Sequence, residues 1–357
     1  MPDDPRSTAT APETAPPSPT LMEAEAREAP AAALRQIARL GPVLEVLAER
    51  LRRDPPPLVV TCARGSSDHA AVYGKYLIET RTGVPVVSLA PSVVSVYGVR
   101  PHLAGALFIA VSQSGRSPDL LRAAEAARAA GVITVALVND EASPLAALCE
   151  YCLPLCAGPE VSVAATKSYL MACAALLRLT AAWTGQADLA VTASRLPEIL
   201  SRAMAVDWGP ALAPLATTGG LYVLGRGIGL GAALEMALKF KETCRLHAEA
   251  FSAAEVVHGP LALVGPGFPV LLLGQADAAR PGLRAVAERL VGLGGQVLTT
   301  EAGIPGTVLL PTPDDIPAEV MPLAQVVSFY LAIPAIARAR GLDPDRPGNL
   351  TKVTETV

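Results

Sequence analysis

The sequence predicts an α/β protein made of two doubly wound parallel sheets, each with helices on both faces. Three observations carry that expectation. Short apolar runs alternate with amphipathic stretches, the pattern of a parallel sheet covered on both sides. The segment "PPLVVTCARGSSDHAAVYGKYLIET" is repeated in plan by "GGLYVLGRGIGLGAALEMALKFKET": a strand, an Arg-Gly turn (Arg64-Gly65, Arg226-Gly227) and a helix closing in Glu-Thr. At 357 residues, the chain is long for one compact core and comfortable for two.

In chain order, residues 1–20, "MPDDPRSTATAPETAPPSPT", lack apolar content and are expected to form a disordered tail. Residues 21–55 have apolar positions at helical spacing, with Pro30 near a helix start and Gly41-Pro42 expected to divide the helix. The first α/β domain is expected over residues 56–185, with strands in "PPLVV", "ALFIAVSQSG" and "VITVALVND". A helical linker then covers residues 186–215. The second domain, residues 216–335, has strands in "GGLYVLG", "FPVLLLGQAD" and "GQVLTTEA", and a polar tail occupies residues 336–357. In such sheets ligands sit beyond the carboxyl ends of the strands.

Composition narrows the partners. Net charge is −4 with a pI near 5.7, and Lys and Arg are scattered, so no nucleic-acid groove is expected. Mean hydropathy is +0.39, yet no uninterrupted apolar run approaches the ~18 residues of a membrane helix. The nearest candidate, "SYLMACAALLRLTAAW", contains Arg178. No secretory pattern opens the sequence, and six dispersed cysteines do not resemble a disulfide framework, so a cytoplasmic address is expected. Cys149, Cys152 and Cys156 lack a second ligand pair, and "EYCLPLC" alternates like a strand, so no metal is expected. No cofactor is expected either: "GRGIGLG" has Leu230 where a dinucleotide fingerprint needs glycine, and reads as a tight turn with close helix packing.

Chemistry concentrates in two places. Ser66 and Ser67 follow one strand, while Ser112, Gln113, Ser114 and Ser117 follow the next. Hydroxyls and free backbone N–H groups at strand-to-helix turns make a seat for phosphate without a Walker lysine. "GPEVSVAATKSYL" adds a third helix opening near Val163, with Lys167 expected at the surface as a charge near the helix end. The second place is "ALEMALKFKETCRLHAEAFSAAEVVHGP". Glu235, Lys239 and Glu242 fall at i, i+4 and i+7, on one helix face, and His258 sits in a held turn. A carboxylate and an imidazole in one crevice can shuttle protons at neutral pH. His69 and His102 read as structural, and His247, off that face, as packed or hydrogen-bonded.

Six motifs in order, "RGSSDHA", "SQSGRSPD", "VAATKSY", "LGRGIGLGAALEMALKFKE", "HAEAFSAAEVVHGP" and "GNLTKV", resemble the sugar-isomerase (SIS) domain family. The likeness runs from about Pro56 to the C-terminus. It is greatest to the isomerase half of glutamine–fructose-6-phosphate transaminases and, also through "KVTETV", to SIS-type glucosamine-6-phosphate deaminases. The transaminases' glutamine-hydrolysing domain has no counterpart in the residues before Pro56, which favours the deaminase expectation.

The resemblance implies two tandem SIS domains and a sugar-phosphate substrate, either glucosamine 6-phosphate or fructose 6-phosphate. It implies a phosphate cradle at Ser67, Ser112, Gln113, Ser114 and Ser117, with Ser66 beside it and Val163 near the sugar. It further implies a proton-shuttling Glu242, a supporting Lys239 and a carbonyl-engaging Lys352. Ring opening would fall to His258, supplied across a homodimer interface. Arg116 and Val257 stand where the transaminases have Glu and Lys. Synthesis of glucosamine 6-phosphate, deglycation of amino-acid-linked sugar phosphates, and sugar-phosphate sensing remain alternatives.

Overall fold

The computed structural model of the chain describes residues 18–352. Most of the expected N-terminal tail, and the "KVTETV" motif beyond Lys352, lie outside the described residues. Helices α1 (Leu21–Arg27) and α2 (Ala29–Arg53) come first. The first domain follows as β1 (Val59–Cys62), α3 (Ser66–Thr82), β2 (Val86–Ser88), α4 (Pro91–Ser95), β3 (Leu107–Ser112), α5 (Pro118–Ala129), β4 (Ile133–Val138), α6 (Pro144–Leu148), β5 (Tyr151–Pro154) and α7 (Lys167–Thr184). Helices α8 (Ala187–Ala203) and α9 (Gly209–Leu212) lead to β6 (Gly220–Gly225), α10 (Leu230–Cys244), β7 (His247–Ser252), β8 (Pro269–Leu272), α11 (Arg280–Gly292), β9 (Gln296–Thr299), β10 (Val308–Leu309) and α12 (Met321–Ala339).

Both sheets are five-stranded and wholly parallel. The first has the order β2-β1-β3-β4-β5 and the second β10-β9-β8-β6-β7. Counted from its own first strand, the second sheet repeats the order 2-1-3-4-5 of the first. The internal repeat therefore extends from motif to topology. Strands β3 and β4 are buried along their whole length, as central strands covered on both faces must be. The reversal of strand order falls between β1 and β3, where Val60 pairs with Phe108, and a doubly wound sheet opens its ligand crevice at such a point.

Two helical expectations need correction. Gly41-Pro42 does not divide the N-terminal helix: α2 runs unbroken through it, and the break falls at Glu28. Proline removes one backbone hydrogen bond, but Ala38, whose carbonyl would receive it, is exposed and open to water. The opposite face of α2, with Leu40, Leu44 and Leu47, is buried. Helix α7, which contains the apolar stretch around Arg178, is a buried core helix. Arg178 is met there by α2, donating to the Gln36 side chain and to the Ala33 carbonyl. The one described helix long and apolar enough to cross a membrane is α12, and 78% of its apolar window is buried inside the protein.

The domains meet where α10 crosses α3. A Cβ on Gly231 would lie 2.7 Å from the His69 carbonyl and 2.9 Å from the Tyr73 nitrogen, so only glycine permits this approach. It brings α10 of the second domain, with Glu235, Lys239 and Glu242, over the β1/β3 crevice of the first.

Candidate active site

Three helix starts converge at the β1/β3 crevice. Ser66 and Ser67 open α3 behind Gly65, Ser117 is the N-cap of α5, and α7 begins at Lys167 behind a loop carrying Val163. Each start turns a positive dipole end to the same space. Between them lies a cavity of about 330 Å³. Ser66, Ser67, Gln113, Ser117 and Val163 line it, and Glu242 of α10 and Lys352 of the tail close it from the other domain.

Not every anticipated residue faces this space. Ser112 is buried and its Oγ accepts from the Gly115 nitrogen (3.1 Å), while the Ser114 Oγ accepts from the Arg116 nitrogen (3.3 Å). Neither lines the cavity; both hold the turn that presents Gln113 and Ser117. Gly115 is obligatory in that turn, since its φ is +63° and a Cβ would meet the Ser143 Oγ at 2.2 Å.

Lys239 lies fully buried behind the wall. Its ammonium donates to the Glu242 carboxylate and to the Ser66 Oγ (3.2 Å) and lies 3.3 Å from Glu235. Glu235, also fully buried, receives the Tyr330 hydroxyl (2.8 Å) and the Ser66 Oγ (3.1 Å), with His69 Nδ1 3.0 Å away. Burial alone would raise the Glu235 pKa, but the Lys239 ammonium and the His69 and Tyr330 contacts outweigh it and hold the carboxyl at about 2. Burial likewise opposes the charge on Lys239, and Glu235 and Glu242 together overcome it, raising that pKa. The i, i+4, i+7 spacing thus forms a charge-alternating ladder from the core to the cavity, ending in Glu242 with about 20% of its side chain exposed.

Lys352 is held from below by a residue that sequence reading missed. Buried Glu160 accepts from the Lys352 ammonium (3.0 Å), from the Thr166 and Ser168 nitrogens (3.0 Å each) and from the Ser168 Oγ (2.7 Å). Burial pushes its pKa up, and Lys352 with the Ser168 and Thr166 donors brings it below the usual carboxylate value. Glu25 of α1 accepts from the nitrogens of Val161 and Ser162 in the same loop. Lys167 is not at the surface: it is buried and paired to Glu28 at 2.7 Å.

His258 stays away from this cavity. It is exposed in a single 3-10 turn, Val256–His258, and the chain's own fold does not bring it among the lining residues. His69 belongs to the Glu235 network, while His102 is exposed. His247 is exposed rather than packed, at the start of β7. The cysteines of "EYCLPLC" flank or lie in β5, and among the described residues no group of three or more His, Cys, Asp or Glu could hold a metal ion.

The fold and this crevice together define a class. The SIS domain model matches residues 57–182 and 215–299, and the chain belongs to that family of sugar-isomerase domains. Among individual relatives, a glutamine–fructose-6-phosphate aminotransferase (isomerizing) of Aeropyrum pernix is 34% identical over 319 residues, covering 82% of this chain and 50% of that protein. The chain thus spans about half the length of the curated relatives it matches. A provisionally named phosphosugar isomerase from Silicibacter pomeroyi superposes with a TM-score of 0.87 at 42% identity, over 92% of this chain and all of that one. A glucosamine-6-phosphate deaminase from Thermotoga maritima shares the fold with a TM-score of 0.71 at 22% identity, over 91% of this chain and 100% of that one.

Proposed function

We propose that the protein is a cytoplasmic, homodimeric glucosamine-6-phosphate deaminase, converting glucosamine 6-phosphate and water to fructose 6-phosphate and ammonia. The observation that carries this reading is the meeting of Glu242, Lys352 and the hydroxyls of three helix starts on one cavity.

In this mechanism the helix starts and Ser67, Gln113 and Ser117 hold the phosphate. His258 of the partner subunit protonates the ring oxygen while taking the proton of the anomeric hydroxyl, opening the ring to the aldehyde. Lys352 engages that carbonyl. Glu242 then removes the proton from carbon 2 and returns it to carbon 1, while the aldehyde oxygen takes up one proton and the amine nitrogen gives up one, so that the aldehyde becomes a hydroxymethyl group and the amine an imine. Water adds to the imine carbon and ammonia leaves, giving the ketose. A single carboxylate suits a transfer between adjacent carbons on one face of a planar intermediate. Lys239 donates to that carboxylate and orients it.

Incubation of the purified protein with glucosamine 6-phosphate, following ammonia and fructose 6-phosphate in parallel, tests the proposal. Equal amounts of both products support it. If neither appears while the sugar phosphate still binds, the deaminase reading fails. The similarity to aminotransferases favours one second reading, the synthesis of glucosamine 6-phosphate from fructose 6-phosphate and ammonia at the same site. That pair is then the substrate to try.

A further inference from the structure

The hydroxyl and N–H donors of the crevice are neutral, but one charged side chain shares their wall. Arg64, directly after β1, lines the cavity beside Ser66, Ser67, Gln113 and Ser117. Its Nε (3.1 Å) and Nη2 (2.9 Å) both donate to the same oxygen of Asp119, in the first turn of α5. Asp119 has no exposed surface, whereas about half of the Arg64 side chain is exposed. The carboxylate therefore grips the guanidinium from behind, across the β1/β3 crevice. Two of the five N–H groups of the guanidinium are used, which leaves three for a ligand.

The other charges at the cavity are differently placed: Lys352 directs two of its three donors to Glu160 and the Ser162 carbonyl, away from the serines, and Glu242, an acceptor, is paired to Lys239. We propose that Arg64 is a binding residue for a dianionic phosphate monoester, a pre-oriented fork that adds a charge-assisted contact to the neutral cradle and sets the preference for phosphorylated over unphosphorylated sugars. Asp119 acts through Arg64 as a positioning residue: it fixes the fork and so lowers the ordering cost of binding. The inference rests on the reading of this crevice as a sugar-phosphate site, but not on which reaction occurs there.

Calorimetric titration with inorganic phosphate and with fructose 6-phosphate tests it without turnover. Loss of a charge-assisted contact in R64A is expected to weaken both ligands ~10–100-fold at pH 8. In the wild type, affinity for inorganic phosphate is expected to rise as the second phosphate proton is lost, and R64A is expected to flatten that rise. A merely bracing arginine would not produce this signature. Affinity of R64A within about twofold of wild type at pH 8 would overturn the inference. Should R64A fail to fold, R64Q, which keeps a hydrogen bond to Asp119, reads the same difference, and wild-type affinity in that variant overturns it equally. Ammonia release is scored separately: Arg64-dependent phosphate binding with no ammonia from glucosamine 6-phosphate sinks the deaminase reading and leaves this inference standing.

Discussion

Lys239 has no exposed surface and stands between the carboxylates of Glu235 and Glu242. A lone buried charge is costly, and such a pair persists because each ion compensates the other. Lys239→Met is therefore expected to destabilise the protein by about 3–5 kcal/mol, measured by chemical denaturation, because it strands Glu235 without its cation. The same network sets an acid dependence. The Glu235 pKa falls from an ordinary 4.5 to about 2 on folding, so its contribution is fully present above pH 4.5 and is lost as pH drops towards 2. Wild-type stability should decline through that window, and a Glu235→Gln variant should show a shallower decline there. At the cavity end of the ladder, Glu242→Gln keeps the shape and removes the proposed base. Turnover is expected to fall by ~10²–10⁴ with folding intact, and unchanged ammonia release would remove Glu242 from the mechanism.

Among the elements, the short helix α1 does more than precede the first domain. Its first two N–H groups, Leu21 and Met22, donate to Asp345 of the C-terminal tail, and its third, Glu23, to Thr20. From its other end Glu25 and Glu28 reach the loop and helix start that carry Val163 and Lys167. One seven-residue helix thus ties the tail bearing Lys352 to the loop on which Lys352 is seated. Asp345→Ala removes two bonds at a helix start, a loss comparable to a missing N-cap at about 0.5–2 kcal/mol. The expected result is a lower turnover for the proposed reaction, and faster proteolysis of the tail, with phosphate affinity near wild type. A variant that keeps full turnover and the same proteolytic pattern would show that the tail is held by other contacts, such as Arg245 against Gly348.

For the whole molecule, the decisive feature is the distance of His258 from the site its own chain builds. In the proposed dimer, Glu242 and His258 of one site come from different subunits. Glu242→Gln and His258→Ala homodimers would each be inactive. Unfolding and refolding an equal mixture would then create heterodimers with one intact site, restoring about a quarter of wild-type ammonia release by random pairing in a two-fold dimer. No recovery, with heterodimers demonstrated by mass, would show that both residues act within one chain.

Sequence alone determined what local chemistry and periodicity encode. Alternating strands and helices gave two parallel sheets, and hydroxyls at strand-to-helix turns marked the crevice. The helical period put Glu235, Lys239 and Glu242 in one row. What only the tertiary structure decided are choices set by partners more than a hundred residues away or by which way a turn faces. Glu160 is an ordinary acidic residue in a Gly-Pro-Glu turn until the tail brings Lys352 to it, 192 positions later. Ser112 and Ser114 are indistinguishable in sequence from Ser117, yet they turn inward to backbone N–H groups because the left-handed Gly115 reverses the chain between them and Ser117. Lys167 reads as a surface lysine, but it is buried, and Glu28, at the junction of α1 and α2, pairs with its ammonium. Pairing of buried charges is a property of the packed chain: the free energy that makes Glu160, Lys167 and Asp119 tolerable arises only once separate segments exclude water together.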